Sequence, residues 1–405
     1  METTLSELRP DIEFIIKRNS ALEDAGDSPI AINICSEAGI GKSLTVEQLA
    51  KDLDYNYVKL ALAQITETGD IAGFPICLHY ACLDDGTKCQ WISPELIDSY
   101  VKAGYQLTGE TKMSYALPEW YKNIDPSKPT ILLLDDATRA LPNILQACYE
   151  LIYKGEFWSF HLPPKTTVIL TTNPDSGDYN VNSYDEAGKT RMVTFNVKFD
   201  IGSWAEWAEN HQIDGRAINF LLSYHTELMD SKGTHEHIMN PRSYTMFSKI
   251  IGGIDDWQKT ESLSMIMRMA AGCFTDKDNI VGSLFTTFIA NKLDKLISPE
   301  DILLGKWETV CPKIKKCVYD EHGNYKPAIA SILHTRLLNY SQYYFDQKNS
   351  KSDVVYQRLM DILNNQDMLF DEDLVFNIIR TLCTKYKSRT NKWLLNNQIR
   401  QRIIA

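Results

Sequence analysis

Apolar residues set the first division of the chain. Leu5, Leu8, Ile12, Ile15, Ile16 and Leu22 recur at helical spacing, which predicts a lead-in helix ending at the Gly26 turn. After it come short apolar runs, Ile30 to Cys35, Tyr57 to Leu62, Thr130 to Leu134 and Thr167 to Thr171, separated by helix-like stretches. Runs that short and that uniformly apolar read as strands buried on both faces, so the pattern predicts an α/β fold with a parallel sheet. Two hairpins interrupt it. The first pairs ICLHYACL with KCQWI around the turn DDGT, and the second runs from Glu156 to Phe160, ahead of Pro163-Pro164. Beyond Phe199 the strand pattern stops. Residues 203–255 read as helical, with Asn240 as N-cap and Pro241 in a first turn, and 256–405 read as mostly helical with breaks at Gly282, Ser298-Pro299 and Gly323/Pro327.

Charge and cysteine content narrow the classes. With 42 Lys+Arg against 53 Asp+Glu, the net charge of −11 excludes a surface that coats nucleic acid as a whole. No apolar run approaches the roughly 18 residues of a membrane span, and METTLSELRPDIE lacks the pattern of a secretory signal, so a soluble cytoplasmic protein is expected. An odd nine cysteines over so long a chain fit reduced thiols better than a disulfide framework. Cys77, His79, Cys82 and Cys89 lie close together, but their spacing matches no common zinc finger and alternation along a hairpin points neighbours apart; no metal site is expected there.

The most informative segment is Ser36-Glu37-Ala38-Gly39-Ile40-Gly41-Lys42-Ser43, between the strand AINIC and the helix beginning at Leu44. A glycine-containing turn at such a junction aims backbone N–H groups and a helix N-terminus at phosphates. Lys42 supplies an ammonium for the β- and γ-phosphates and Ser43 a hydroxyl for Mg2+. The usual pattern opens on glycine where this chain has Ser36. A second motif, Ile131-Leu132-Leu133-Leu134-Asp135-Asp136, is an apolar strand ending in two acids. Asp135 is expected to hold Mg2+ and Asp136 to orient or deprotonate the attacking water.

With these motifs in order, the chain resembles the AAA+ ATPases, and within them the MoxR type, over about residues 26–255. The resemblance implies an α/β P-loop AAA+ core with a parallel sheet, followed by a helical lid and a helical C-terminal region. The corresponding divisions are 1–25 lead-in helix, 26–200 nucleotide-binding domain, 201–255 lid and 256–405 C-terminal region. It implies ATP and Mg2+ as ligands, with Glu37, Ala38, Gly39, Ile40, Gly41, Lys42, Ser43 and Leu44 against the nucleotide and Ser43 and Asp135 on the metal. Asn173, at the end of the strand Thr167 to Thr172, looks like the sensor-1 residue that holds the catalytic water. Ala187 to Met192 resembles the arginine-finger segment, with Arg191 favoured over Lys189 to reach a neighbouring subunit's γ-phosphate. Asn240-Pro241-Arg242-Ser243 resembles the sensor-2 helix start, which gives Arg242 the nucleotide contact from the lid. Ile71 to Pro75 with the first hairpin and Trp91 to Pro94 resemble the pore-facing helix-2 insert, and the second hairpin the pre-sensor-1 insert. Most relatives carry Glu where this chain has Asp136, so slower hydrolysis is expected.

A site completed by a neighbour implies a homo-oligomeric ring, of six by resemblance, that remodels a protein client. A von Willebrand A domain partner would be a separate protein, because the chain has no DxSxS motif. Two other readings stand beside this one. A nucleic-acid motor draws on Thr384 to Ala405, which holds Lys385, Lys387, Arg389, Lys392, Arg400 and Arg402 without an acid and with Tyr386 and Trp393 interleaved. The plainer account of that segment is a solvated helix neutralising acidic neighbours. A non-hydrolysing nucleotide sensor follows if Asp136 is too short to activate water.

Overall fold

The computed structural model describes residues 2–83, 86–157, 160–174, 190, 192–229, 239–274, 280–347, 351–364 and 369–390. The chain divides into two compact units, Met1–Phe199 and Asp200–Ala405.

The first unit is built on β1 (Glu2–Thr3), β2 (Ala31–Cys35), β3 (Asn56–Ala61), β7 (Thr130–Asp135), β10 (Thr166–Thr172) and β11 (Met192–Val197), all parallel, in the order β1-β11-β2-β10-β7-β3. The four predicted core strands are present as β2, β3, β7 and β10. Alternate residues of β7 serve opposite faces, as the pleat requires. Ile131 and Leu133 pack with Val46 and Leu49 of α2 (Lys42–Leu53), while Leu132 and Leu134 pack with Ile144, Cys148 and Leu151 of α3 (Pro142–Lys154). The expected lead-in helix, α1 (Leu5–Asp24), is an integral part of this unit. Leu8, Ile12 and Ile16 are buried against Ile32 and Ile34, and Asn19 reaches Ile30 O at 2.9 Å and Thr167 Oγ1 at 3.1 Å.

The first hairpin is β4 (Phe74–Leu83) and β5 (Cys89–Ile92); Asp84 and Asp85 of its turn lie outside the described residues. A third antiparallel strand, β6 (Tyr105–Ala116), pairs with β4 and has no sequence forecast. Most of its residues are exposed, so no apolar alternation marks it. Gly73 makes the entry to β4 feasible: its φ is +85° and a Cβ there would sit 2.0 Å from Ala116 O. The expectation of nine reduced thiols is corrected here. Register places Cys82 opposite Cys89, and the two form a disulfide. The second hairpin is β8 (Glu156–Phe157) with β9 (Phe160–His161).

The second unit has no strand among its described residues. It contains α4 (Ile201–Asn210), α5 (Gly215–Met229), α6 (Pro241–Ile251), α7 (Thr260–Cys273), α8 (Ile280–Ala290), α9 (Pro299–Leu304), α10 (Trp307–Val318), α11 (Pro327–Gln347), α12 (Lys351–Leu363) and α13 (Glu372–Lys385). Asn240 caps α6 through Ser243 N–H at 2.9 Å, with Pro241 at its first position, as the sequence predicts. Ser298 caps α9, and α11 starts at Pro327. Gly282, expected as a break, lies buried inside α8. Two polar tethers join α4, α5 and α11. Arg336 donates to Glu209 Oε1 at 2.5 Å and to Asn219 Oδ1 at 3.0 Å, all three buried.

Candidate phosphate-binding site

Three parallel strand ends converge. In the register of β10 with β2, Thr172 lies opposite Cys35; with β7, Leu170 lies opposite Leu134. Continuing each ladder one step brings Asn173 level with Ser36 and Thr171 level with Asp135. Because β10 is inserted between β2 and β7, its end touches both motifs, at the carboxyl edge of the sheet where α/β proteins take ligands.

The loop after β2 turns through Gly39 (φ +88°) and Gly41 (φ +104°), conformations that cost a side-chain-bearing residue about 1 kcal/mol or more. α2 then starts at Lys42, and no side chain of the N-cap residue, Gly41, caps its N-terminus. Ser36, the departure from the expected glycine, has no positive φ and so carries no strain from its Cβ. Glu37 and Leu44 are exposed, while Ala38, Ile40 and Ser43 are half-buried.

Lys42 is buried with its ammonium 2.7 Å from Ser36 O, 3.0 Å from Ser36 Oγ, 3.1 Å from Glu37 O and 3.0 Å from Asn173 Oδ1. An ammonium only donates, so this contact fixes the Asn173 amide with its oxygen toward Lys42. Asn173 Nδ2 is left buried with no hydrogen-bond partner among the described residues. A buried unpaired donor beside a buried ammonium at a helix N-terminus fits an anionic oxygen.

Asp135 holds the other half of the site. Ser43 Oγ donates to its Oδ1 at 2.6 Å, Thr171 Oγ1 donates to the same oxygen at 2.5 Å, and Lys59 Nζ lies 2.6 Å from Oδ2. Burial alone would push this carboxyl up; the hydrogen bonds from Lys59, Ser43 and Thr171, with the Lys59 charge, outweigh burial and hold it below the ordinary range. A hydroxyl and an ionised carboxylate side by side are the hard oxygen donors that suit Mg2+. Asp136 follows at φ +53°, half-buried, its N–H donating to Thr171 Oγ1 at 3.0 Å. One threonine hydroxyl thus joins the Asp135 carboxylate to the Asp136 backbone.

Lys42, Ser43, Asp135, Asp136 and Asn173 are therefore brought together in one unit. Arg191 and its competitor Lys189 lie outside the described residues. Arg242 is the exposed second residue of α6 and belongs to the second unit. Sequence reasoning missed Lys59 and Thr171. A charged residue inside the strand-like run YVKLA was a signal for Lys59; nothing in TTVILTT distinguished Thr171 before the strand order was known.

No protein-family profile and no curated protein matches the chain in sequence. Solved structures with a similar arrangement include RuvB of Thermotoga maritima, a Holliday junction branch migration motor, at 10% identity and TM-score 0.36 over 78% of this chain and 91% of that one. NtrX from Brucella abortus in complex with ADP aligns at 14% identity and TM-score 0.37, over 89% and 69%. Hsp104 with ATPγS and casein aligns at 12% identity and TM-score 0.31, over 70% of this chain and 46% of that chain. At these values no chemistry follows from the likeness.

Proposed function

We propose that the chain is a Mg2+-dependent ATPase of AAA+ type. The observation that carries this reading is the unpartnered Asn173 Nδ2, set beside Lys42 at the N-terminus of α2, with the adjoining Ser43 donating to Asp135. In this reading the glycine turn and Lys42 bind the β- and γ-phosphates, and Ser43 and Asp135 hold the metal. Bound Mg2+ neutralises phosphate charge and helps orient the transferring group. Asp136 takes a proton from the attacking water, and Asn173 Nδ2 donates to that water or to a γ-phosphate oxygen.

The finer reading is a MoxR-type ring that remodels a protein client, with Arg191 completing each site in trans and Arg242 coupling nucleotide to the lid. It rests on the motif order and on the paired hairpins inserted before β7 and before β10. The nucleic-acid motor is less well supported. Lys385, the first cation of the basic segment, is engaged with Gln342 at 2.8 Å, Asp346 at 3.7 Å and Glu206 at 3.8 Å. Lys385 thus neutralises acidic neighbours, while Lys392, Trp393, Arg400 and Arg402 of that segment lie outside the described residues. Among the described residues no helix is long and apolar enough to cross a membrane.

The test is phosphate release as a function of protein concentration. Turnover that rises with assembly and vanishes in Lys42→Ala is expected. Tight ATP binding without turnover at any concentration would replace the ATPase by a nucleotide-sensing scaffold.

A further inference from the structure

Lys59 stands on β3, the strand beside β7, and Asp135 closes β7. In register Lys59 lies opposite Leu133, so its side chain leaves the sheet on the face where Leu133 packs with α2. Asp135, two residues further along β7, shares that face. The long stem of Lys59 spans the offset and sets Nζ 2.6 Å from Asp135 Oδ2.

The two oxygens of Asp135 are used differently. Oδ1 accepts from Ser43 Oγ at 2.6 Å and from Thr171 Oγ1 at 2.5 Å, which fills its two lone-pair directions. Oδ2 is then the oxygen left to meet a cation, directly or through a water, and Lys59 sits on it. Ser43 is not restricted in this way, because a hydroxyl that donates to Asp135 keeps lone pairs for a metal. One side chain therefore decides whether a free cation gains the carboxylate.

A fixed ion pair is buried and braced, as Arg336 is by Glu209 and Asn219. Lys59 is neither. Its side chain is 44% exposed against 11% for Asp135, and no second partner holds it among the described residues. An ammonium on a flexible stem already half in water leaves its carboxylate at little desolvation cost. Formal charges at this end of the sheet also balance, Lys42 and Lys59 against Asp135 and Asp136, so a lone divalent cation meets no excess negative charge from these four groups. A nucleotide triphosphate brings that charge and further oxygens, and a cation arriving with it competes far better for Oδ2.

We propose that Lys59 is a resident counter-ion that competes with Mg2+ for Asp135, so that the site turns away the free cation and accepts it together with nucleotide phosphate. The proposal rests on the ATPase reading in one respect, that Ser43 and Asp135 hold the metal.

The test is binding of Mn2+, a spectroscopically visible substitute for Mg2+, to the full chain without nucleotide, followed by electron paramagnetic resonance. Lys59→Met keeps most of the stem and removes the charge; it should bind Mn2+ about tenfold more tightly than the unaltered chain, the scale of one charge-assisted hydrogen bond. Lys59→Arg keeps the charge and should bind as the unaltered chain does. Adding Asp135→Asn to Lys59→Met should abolish the gain. A damaged fold would lose the site and lower the affinity, so tighter binding is not a folding artefact. No gain in Lys59→Met, or an equal gain in Lys59→Arg, overturns the proposal and leaves the ATPase reading standing. A gain that survives Asp135→Asn overturns it as well, because the cation is then not on that carboxylate. The expected gain in a chain that releases no phosphate would remove the ATPase reading and keep this one.

Discussion

At the scale of single residues, Asp136 and His334 give the sharpest tests. Asp136 stands where a longer acid is usual in the family the motifs resemble, yet Thr171 fixes its backbone next to Asp135. Asp136→Asn should keep ATP affinity within a few-fold while lowering turnover by about 100-fold or more, the scale of a lost general base. Unchanged turnover in that variant would move the base elsewhere. His334 makes stability depend on pH. Burial holds its pKa down to about 4 in the folded chain against an ordinary 6.5, so between those values the unfolded chain holds a proton that the folded chain does not. The stabilisation is complete above pH 6.5, falls as the pH drops toward 4 and changes no further below. The drop amounts to about 3 kcal/mol. Urea unfolding across that range should show it, and His334→Gln should flatten the slope. Of the site residues, Lys42, Ser43 and Asp135 were legible in the sequence because their chemistry is tied to contiguous motifs. Thr171 and Lys59 were not, because they act on Asp135 from the two strands that flank β7.

At the scale of elements, the Arg336–Glu209–Asn219 cluster ties α11 to α4 and α5. Removing one ion from a buried pair leaves the other charged and dry, so Arg336→Met should destabilise the chain by about 3–5 kcal/mol. Joining it with Glu209→Leu should recover much of that loss, because the double variant buries no unpaired charge. A double variant as unstable as the sum of the two single ones, in a denaturant titration, would mean the groups act independently. Gly215 belongs to the same device: a Cβ there would come within 2.5 Å of the guanidinium that Glu209 holds in place. Element positions were readable where burial left a continuous apolar run, as in β2, β7 and β10, or an apolar period, as in α1. They were not readable in β6, whose exposed residues follow no such period, nor at Gly282, where glycine lies inside a helix and not at a turn.

At the scale of the whole molecule, the ATPase reading requires assembly. If Arg191 acts in trans, Lys42→Ala and Arg191→Ala are each inactive alone, and mixing them restores part of the turnover, because one supplies the finger and the other the binding site. No recovery in a mixed sample removes Arg191 from that role. Nucleotide should also protect the fold by mass action. ATP with Mg2+ at about 100 times its Kd adds about 2.7 kcal/mol of stability, and that thermal shift should be absent in Lys42→Ala.

The sequence by itself determined the α/β class, the glycine loop between β2 and α2, the acidic strand end and the helical second half, because apolar period, glycine placement and contiguous charge are local properties of a chain. Only the tertiary structure decided that β10 lies between β2 and β7, that its Thr171 joins the Asp135 carboxylate to the Asp136 backbone and that Asn173 faces Lys42 with its amide nitrogen unpartnered among the described residues. It also decided that Cys82 meets Cys89 and that Lys59 reaches Asp135. These depend on strand order, register and helix packing, which join residues far apart in sequence through contacts that no local pattern encodes.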